Sequence, residues 1–352
     1  MRDVAVVGFA QSPSMRSSAN EGNEVEMLMP ILQAAVRQSG LAKSEIGFTV
    51  SGSCDYLAGQ PFAFVTALDA VGAWPPIVES HVEMDGAFAL YEAWVKIQTG
   101  EADAALVYAF GKSSMGDLLD VLTIQLDPYY LAPLWPDPVS LAALQARAFL
   151  ETTGKTERDL AAVAMRSRRA AKDNANAQVR GSADVDTLMA TPYVVAPLRT
   201  HDCPPISDAC AAVVLATGDL VRKSRTKPAW ICGIDHRIEA HGLGVRDHAT
   251  SPSTKLAGEK AGVGRGRIDF AELHAPFTHQ ELILREALGL GDGVVVNPSG
   301  GALAANAMMV AGLLRIGETA ARLSDGAGKR AVAHATSGPC LQQNLVAVLE
   351  AD

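Results

Sequence analysis

The sequence lacks four features, and each absence removes a class of function. No uninterrupted apolar stretch reaches membrane-spanning length, and MRDVAVVGFAQ runs straight into a strand-like segment with no hydrophobic signal core. A cytoplasmic chain without a membrane partner is expected. Positive charge is also scarce: 30 Lys and Arg face 39 Asp and Glu, a net charge of -9, so no general attraction to nucleic-acid phosphates or anionic membranes is expected. The five cysteines, Cys54, Cys203, Cys210, Cys232 and Cys340, are odd in number and scattered without metal-ligand spacing. They read as reduced thiols, most of them buried, with no metal site. Finally, no GxGxxG follows the first strand, and no lysine follows Gly300 and Gly301 as in a P-loop. Dinucleotide binding and nucleotide hydrolysis therefore lack their usual motifs.

What is present suits a large globular α/β protein. The 352 residues suffice for two ordinary domains or one large one. One plan occurs twice. Val4 to Phe9 reads as a strand, followed by a helix around Val25 to Gln38, a helix at Gly86 to Gln98 and a strand at Ala104 to Ala109. Ala229 to Gly233 starts the second series, with helices near Thr254 to Ala261 and at Ala302 to Ile316, then a strand from Arg330 to His334. Strands alternating with helices of this length predict parallel βαβ units covered on both faces. The segments after Asp85 and after Gly301 are apolar nearly all round, the pattern of buried helices. Together they predict a duplicated α/β architecture in five layers, αβαβα. Its halves would be 1–218 and 219–352, with a loop-like region at about 112–196.

Within that region, Thr156 and Asp159 form a capping-box-like helix start. The basic run Arg166, Arg168, Arg169 and Lys172 reads as a solvated helix face, with a grip on phosphates as the alternative. The proline-broken stretch from Tyr129 to Pro138 reads either as a domain-packing surface or as the lining of an apolar tunnel.

Four segments in order, PLRTHDCPPISDACAAVVLAT (197–217), FAELHAPFTHQEL (270–282), VNPSGGALAANAMMVAG (296–312) and TSGPCLQQNLVAVLE (336–350), resemble the thiolase family, in particular its sterol-carrier or nonspecific lipid-transfer branch. They span nearly the whole chain. The resemblance implies the thiolase fold with an inserted loop domain, acyl-CoA substrates and a homodimer or higher assembly. It implies no cofactor apart from coenzyme A as part of the substrate. Members of this branch that lack the thiolase nucleophile also imply an OB-fold acyl-CoA-binding partner, or a second thiolase-like subunit.

Matched residue by residue, the site departs from the family. Where the family places its nucleophilic cysteine, this sequence has Glu83. A carboxylate there can act as a general base favoured by helix N–H groups, or simply serve as an N-terminal helix glutamate. His274, in ELHAPFT, matches a position that helps bind the thioester oxygen as it becomes an enolate, and is otherwise a loop histidine. Asn306 replaces the family's GHP histidine: its amide can donate a hydrogen bond but not exchange a proton, and a helix N-cap is the alternative. Cys340 matches the thiolase proton shuttle, or is a structural thiol. Leu341, Gln342, Gln343 and Asn344 stand where the family has turn-forming glycines. Gly300 and Gly301 fit a close backbone approach to ligand. Retro-aldol carbon–carbon cleavage of a β-hydroxyacyl-CoA, on a substrate such as a sterol side-chain ester, is the expected activity. Acyl transfer through a cysteine recruited from elsewhere, and a degenerate subunit supporting a partner, are the alternatives.

Overall fold

The computed structural model describes residues 1–18 and 22–352. In chain order the first series is β1 (Val4–Gln11), α1 (Glu24–Ser39), β2 (Phe48–Gly52), α2 (Asp55–Ala58), α3 (Ala63–Val71), β3 (Glu79–Val82), α4 (Gly86–Thr99) and β4 (Ala104–Lys112). An excursion follows, with α5 (Leu118–Ile124), α6 (Pro138–Thr153), α7 (Glu157–Ala170), α8 (Val185–Met189) and the short pair β5 (Tyr193–Val195) and β6 (Leu198–Arg199), before β7 (Asp208–Thr217). The second series is β8 (Ala229–Ile238), α9 (Pro252–Ala261), β9 (Phe270–Leu273), α10 (Thr278–Ala287), β10 (Val295–Val296), α11 (Ala311–Ser324), β11 (Arg330–Ser337) and β12 (Gln343–Ala351).

Among the described residues ten strands share one sheet in the order β10-β9-β11-β12-β8-β1-β7-β4-β2-β3. Read outward from the β1–β8 junction, the two halves have the same plan: β1, β7, β4, β2, β3 on one side and β8, β12, β11, β9, β10 on the other. The junction is narrow, with Ala5 opposite Trp230 and Val6 opposite Ala229. The sheet halves enclose α4 and α11, whose apolar faces merge into one core with Val50, Val107, Val213, Ala333 and Ala347. Outer layers are α1 and α3 over the first half and α9 and α10 over the second. This is the five-layer α/β arrangement expected of a thiolase fold, and strands buried on both faces explain the near-continuous apolar run of β7.

Four expectations need correction. The sheet is mixed and not wholly parallel: β1 pairs antiparallel with β7 and β8, β7 with β4, and β12 with β8 and β11, while β3, β2 and β4 and β10, β9 and β11 run parallel. The second central helix does not begin at Ala302 but at Ala311, and residues 302–310 form a buried irregular segment. An all-apolar run does not distinguish buried helix from buried turn. Here the backbone is diverted by a bridge between Ser207 and Ala307 and by Met309 at φ 67°. The loop-like stretch 112–196 contains a second substantial helix, α6, before the expected helix α7. Asp159 accepts from the Thr156 amide and hydroxyl at the start of α7. Arg166 is not merely solvated, because it pairs with the buried Glu281 of α10 and so fastens the excursion to the second half.

One carboxylate joins the central helices. Asp85 is 2% exposed and caps α4 by accepting from the Ala87 amide at 2.8 Å, while its two oxygens also accept from the Gly312 and Leu313 amides of α11 at 2.8 and 3.0 Å. Helix N-termini leave such donors without intrahelical partners. Gly312 is required for the approach, since a Cβ there would lie 2.5 Å from Asp85 Oδ1.

Candidate active site

His274 directly follows β9, so the strand carries it to a sheet end inside the protein. Its amide donates to the His334 carbonyl of β11, and its ring is almost fully buried. The Thr336 amide approaches His274 Nδ1 at 3.4 Å, and His274 Nε2 lies 3.2 Å from Asn306 Oδ1. An amide N–H can only donate, so Nδ1 is the acceptor and Nε2 carries the proton that is donated to Asn306. Burial, reinforced by His334 and Arg315, pushes the imidazole down to about 3, against a smaller opposing effect of Asn306. The ring is therefore neutral at physiological pH.

This arrangement orients Asn306. The residue is not a helix cap, for α11 starts five residues later; it sits in the buried segment with its amide donating to Ser207 Oγ at 3.1 Å. Its side-chain oxygen is turned to His274, and its Nδ2 makes a weak contact to Met308 Sδ at 4.0 Å. A thioether is a poor acceptor, so this N–H is only weakly satisfied. His274 orients the amide in this state.

Cys340 lies in the turn between β11 and β12, four residues after Thr336. Its thiol donates to the Leu141 carbonyl of α6 at 3.5 Å. Burial pushes it up to about 11, partly offset by Arg246, so it is protonated and suited to delivering a proton. The missing glycines have a visible consequence: Cys340 and Leu341 are both left-handed, at φ 55° and 58°. Each such non-glycine residue costs on the order of 1 kcal/mol and persists only where its surroundings enforce it.

Glu83 departs from expectation. It follows β3 and precedes the first residue of α4 by three positions, so Asp85 and not Glu83 caps that helix. Its side chain is 47% exposed. Oε1 accepts from the Asp55 amide at the start of α2, 2.7 Å away, and Oε2 is 3.2 Å from His81 Nε2. His81 in turn meets Ser51 Oγ at 3.0 Å and stacks on Phe64.

Gly300 and Gly301 adopt φ 100° and 64°, but what they admit at close range is protein: a Cβ at Gly300 would meet Ala171 at 2.6 Å, and one at Gly301 the Asn297 amide at 2.7 Å. Ser167 Oγ also donates to the Gly300 carbonyl at 2.5 Å. Gly300 seats the excursion on the second half, and Gly301 packs against Asn297 within that half. Tyr129 and Tyr130, for which packing or a tunnel was expected, are 81% and 78% exposed.

Two neighbours, Gln145 and Arg246, carry no sequence signal of their own, whereas Thr336 opens the TSGPC segment. Ser207 could have been found, because it belongs to the PPISDA segment. Among the described residues no group of three or more His, Cys, Asp or Glu side chains could hold a metal ion, and no helix is long and apolar enough to cross a membrane.

No family model matches the chain. It is 28% identical to an acetyl-CoA acetyltransferase of Methanothermobacter thermautotrophicus, covering 96% of this chain and 95% of the relative. It is 26% identical to sterol carrier protein 2 of Gallus gallus, over 98% of this chain and 70% of that protein. Among solved structures it superposes on the Ltp2-ChsH2(DUF35) aldolase with a TM-score of 0.83 at 20% identity, covering 99% of this chain and 98% of the other.

Proposed function

We propose that this chain is a thiolase-superfamily carbon–carbon lyase acting on a β-hydroxyacyl-CoA, a reading supported by its likeness to an acetyl-CoA acetyltransferase, to sterol carrier protein 2 and to an aldolase structure. The observation that carries the reading is the contrast between Glu83, at the nucleophile position, and the buried pair of His274 and Asn306, which presents an amide donor for a thioester oxygen.

In the proposed reaction a base removes the β-hydroxyl proton and the alkoxide collapses to a ketone or aldehyde. The Cα–Cβ electron pair passes into the thioester as an enolate, whose oxygen accepts from Asn306 Nδ2. A preorganised donor aimed at developing charge in a dry site is worth a few kcal/mol. The Cys340 thiol then gives its proton to Cα, releasing the shorter acyl-CoA and regaining a proton from solvent. Glu83 is the candidate base, its exposed carboxylate held by Asp55 and His81. Sterol side-chain esters are the substrate class favoured by the likeness to sterol carrier protein 2, and a second copy or an acyl-CoA-binding partner is favoured by the likeness to a two-component aldolase.

Acyl transfer has one observation in its favour. Cys54 is near Glu83 and could serve as a recruited nucleophile. Burial, followed by the Glu83 charge and hydrogen bond, holds its thiol above the ordinary range. A nucleophilic cysteine needs the opposite shift, and the lyase reading is preferred.

The test is incubation with a tertiary β-hydroxyacyl-CoA, with and without an OB-fold partner. Release of acetyl- or propionyl-CoA, with no acyl adduct by intact mass, is expected. An adduct on Cys54 would replace the lyase by an acyltransferase, and no turnover with the partner present would favour the degenerate-subunit reading.

A further inference from the structure

All three carbonyl oxygens of the turn at Pro339, Cys340 and Leu341 are held by side chains, two of them from distant parts of the chain. Arg246 donates from Nη2 to the Pro339 carbonyl at 3.0 Å and from Nη1 to the Cys340 carbonyl at 3.2 Å. Gln145 Nε2 adds a second hydrogen bond to Cys340, also at 3.2 Å, and Asn344 Nδ2 reaches Leu341 at 2.8 Å. Two consecutive left-handed residues without glycine are thereby enforced from three directions.

Gln145 does more than close the turn. It is 1% exposed, in the middle of α6, and its Oε1 accepts from His279 Nε2 at 3.1 Å and Gln280 Nε2 at 3.0 Å. Both donors belong to α10, which begins four residues after His274. One amide therefore ties the excursion to the segment after His274 and to the turn bearing Cys340. Arg246 brings a fixed fork of donors, and its charge partly offsets the effect of burial on the Cys340 thiol. The other wall at the thiol is the Leu141 carbonyl.

We propose that Arg246 and Gln145 are positioning residues for Cys340: their side chains replace the backbone freedom that glycines would give this turn and hold the thiol where it can deliver a proton to the substrate. The assignment rests on Cys340 being the proton donor of the proposed lyase. Arg246 acts through the turn and through its charge, and Gln145 through registry between the turn and α10.

The primary variant is Arg246→Ala, since Arg246 is only partly buried and its removal leaves no buried charge. kcat should fall about tenfold with KM within about twofold, and Arg246→Lys should recover part of the loss. In a Cys340→Ala background, Arg246→Ala should produce no further fall, whereas a merely structural role would lower both backgrounds alike. An activity-free measurement accompanies this: iodoacetamide labelling of Cys340 against pH, read by peptide mass spectrometry with the exposed Cys232 as internal reference. Its midpoint should rise in Arg246→Ala and stay near wild type in Gln145→Ala, which keeps the cation; thermal melting establishes that each variant is folded. Equal losses in both backgrounds, or an unmoved labelling midpoint in folded Arg246→Ala, overturn the proposal. Failure of the lyase reading would appear separately, as no acyl-CoA release by the wild type, and would leave the labelling result readable.

Discussion

The two halves share a strand plan but not a chemistry. In the second half, the sheet end after β9 is closed: His274 and Asn306 are buried, neutral and bonded to each other. In the first half, the rim after the edge strand β3 is open, and Glu83 stands half exposed with its oxygens on Asp55 and His81. A buried neutral donor stabilises charge that appears during a reaction, because nothing in the dry site competes with it. An exposed carboxylate is better fitted to exchange protons. On the proposed reading, these two sheet ends, which differ in burial, do different work.

The comparison can be broken most directly by exchanging function for silence on each side. Asn306→Ala should lower kcat by about 10²- to 10³-fold, the usual effect of losing one preorganised oxyanion donor. Glu83→Gln should cost about 10²-fold in kcat, within the range for general bases. Steady-state kinetics on the β-hydroxyacyl-CoA measures both; equal insensitivity at the two positions would leave the chain a scaffold.

The halves are also joined mechanically, and that link gives a smaller effect. Asp85→Ala removes the acceptor for the Ala87, Gly312 and Leu313 amides. A loss of about 3 kcal/mol is expected from one lost cap and two buried donors left unpaired, measurable as a lower urea midpoint. An unchanged midpoint would mean that the helices do not depend on this shared cap.

The gentlest test uses pH. Burial pushes His279 down to about 3, well below the ordinary value near 6.5. The unfolded chain therefore takes up a proton below about pH 6.5 that the folded ring refuses. Its stability contribution is complete above that pH and declines by about 1.4 kcal/mol per unit as pH falls toward 3. The difference in unfolding free energy between pH 7 and 5 should be smaller in His279→Gln than in the wild type. Comparing the two proteins cancels the opposing effect of buried carboxylates such as Glu272, which burial raises.

The central helices mark the limit of reading by pattern. Gly86–Thr99 is bounded by Asp85 before it and Gly100 after it, two local signals, and its expected span agrees to within a residue. The start of α11 has no side-chain cap in its own sequence. Its first amides depend on a carboxylate more than two hundred residues away, so an apolar run was extended backward over residues that turn.

By itself the sequence determined the five-layer α/β plan, because periodicity and burial are encoded locally, and it brought His274, Asn306, Cys340 and Glu83 forward through ordered motifs. Tertiary structure decided what each can do. The His274 tautomer follows from the Thr336 amide, the orientation of Asn306 from the direction of His274, and the solvent exposure of Glu83 from its place outside the helix. The Cys340 turn is held by Arg246 and Gln145, whose positions in the chain give no hint of it. Such contacts join residues far apart in sequence, and their energies depend on distance and exclusion of water, which only the folded chain defines.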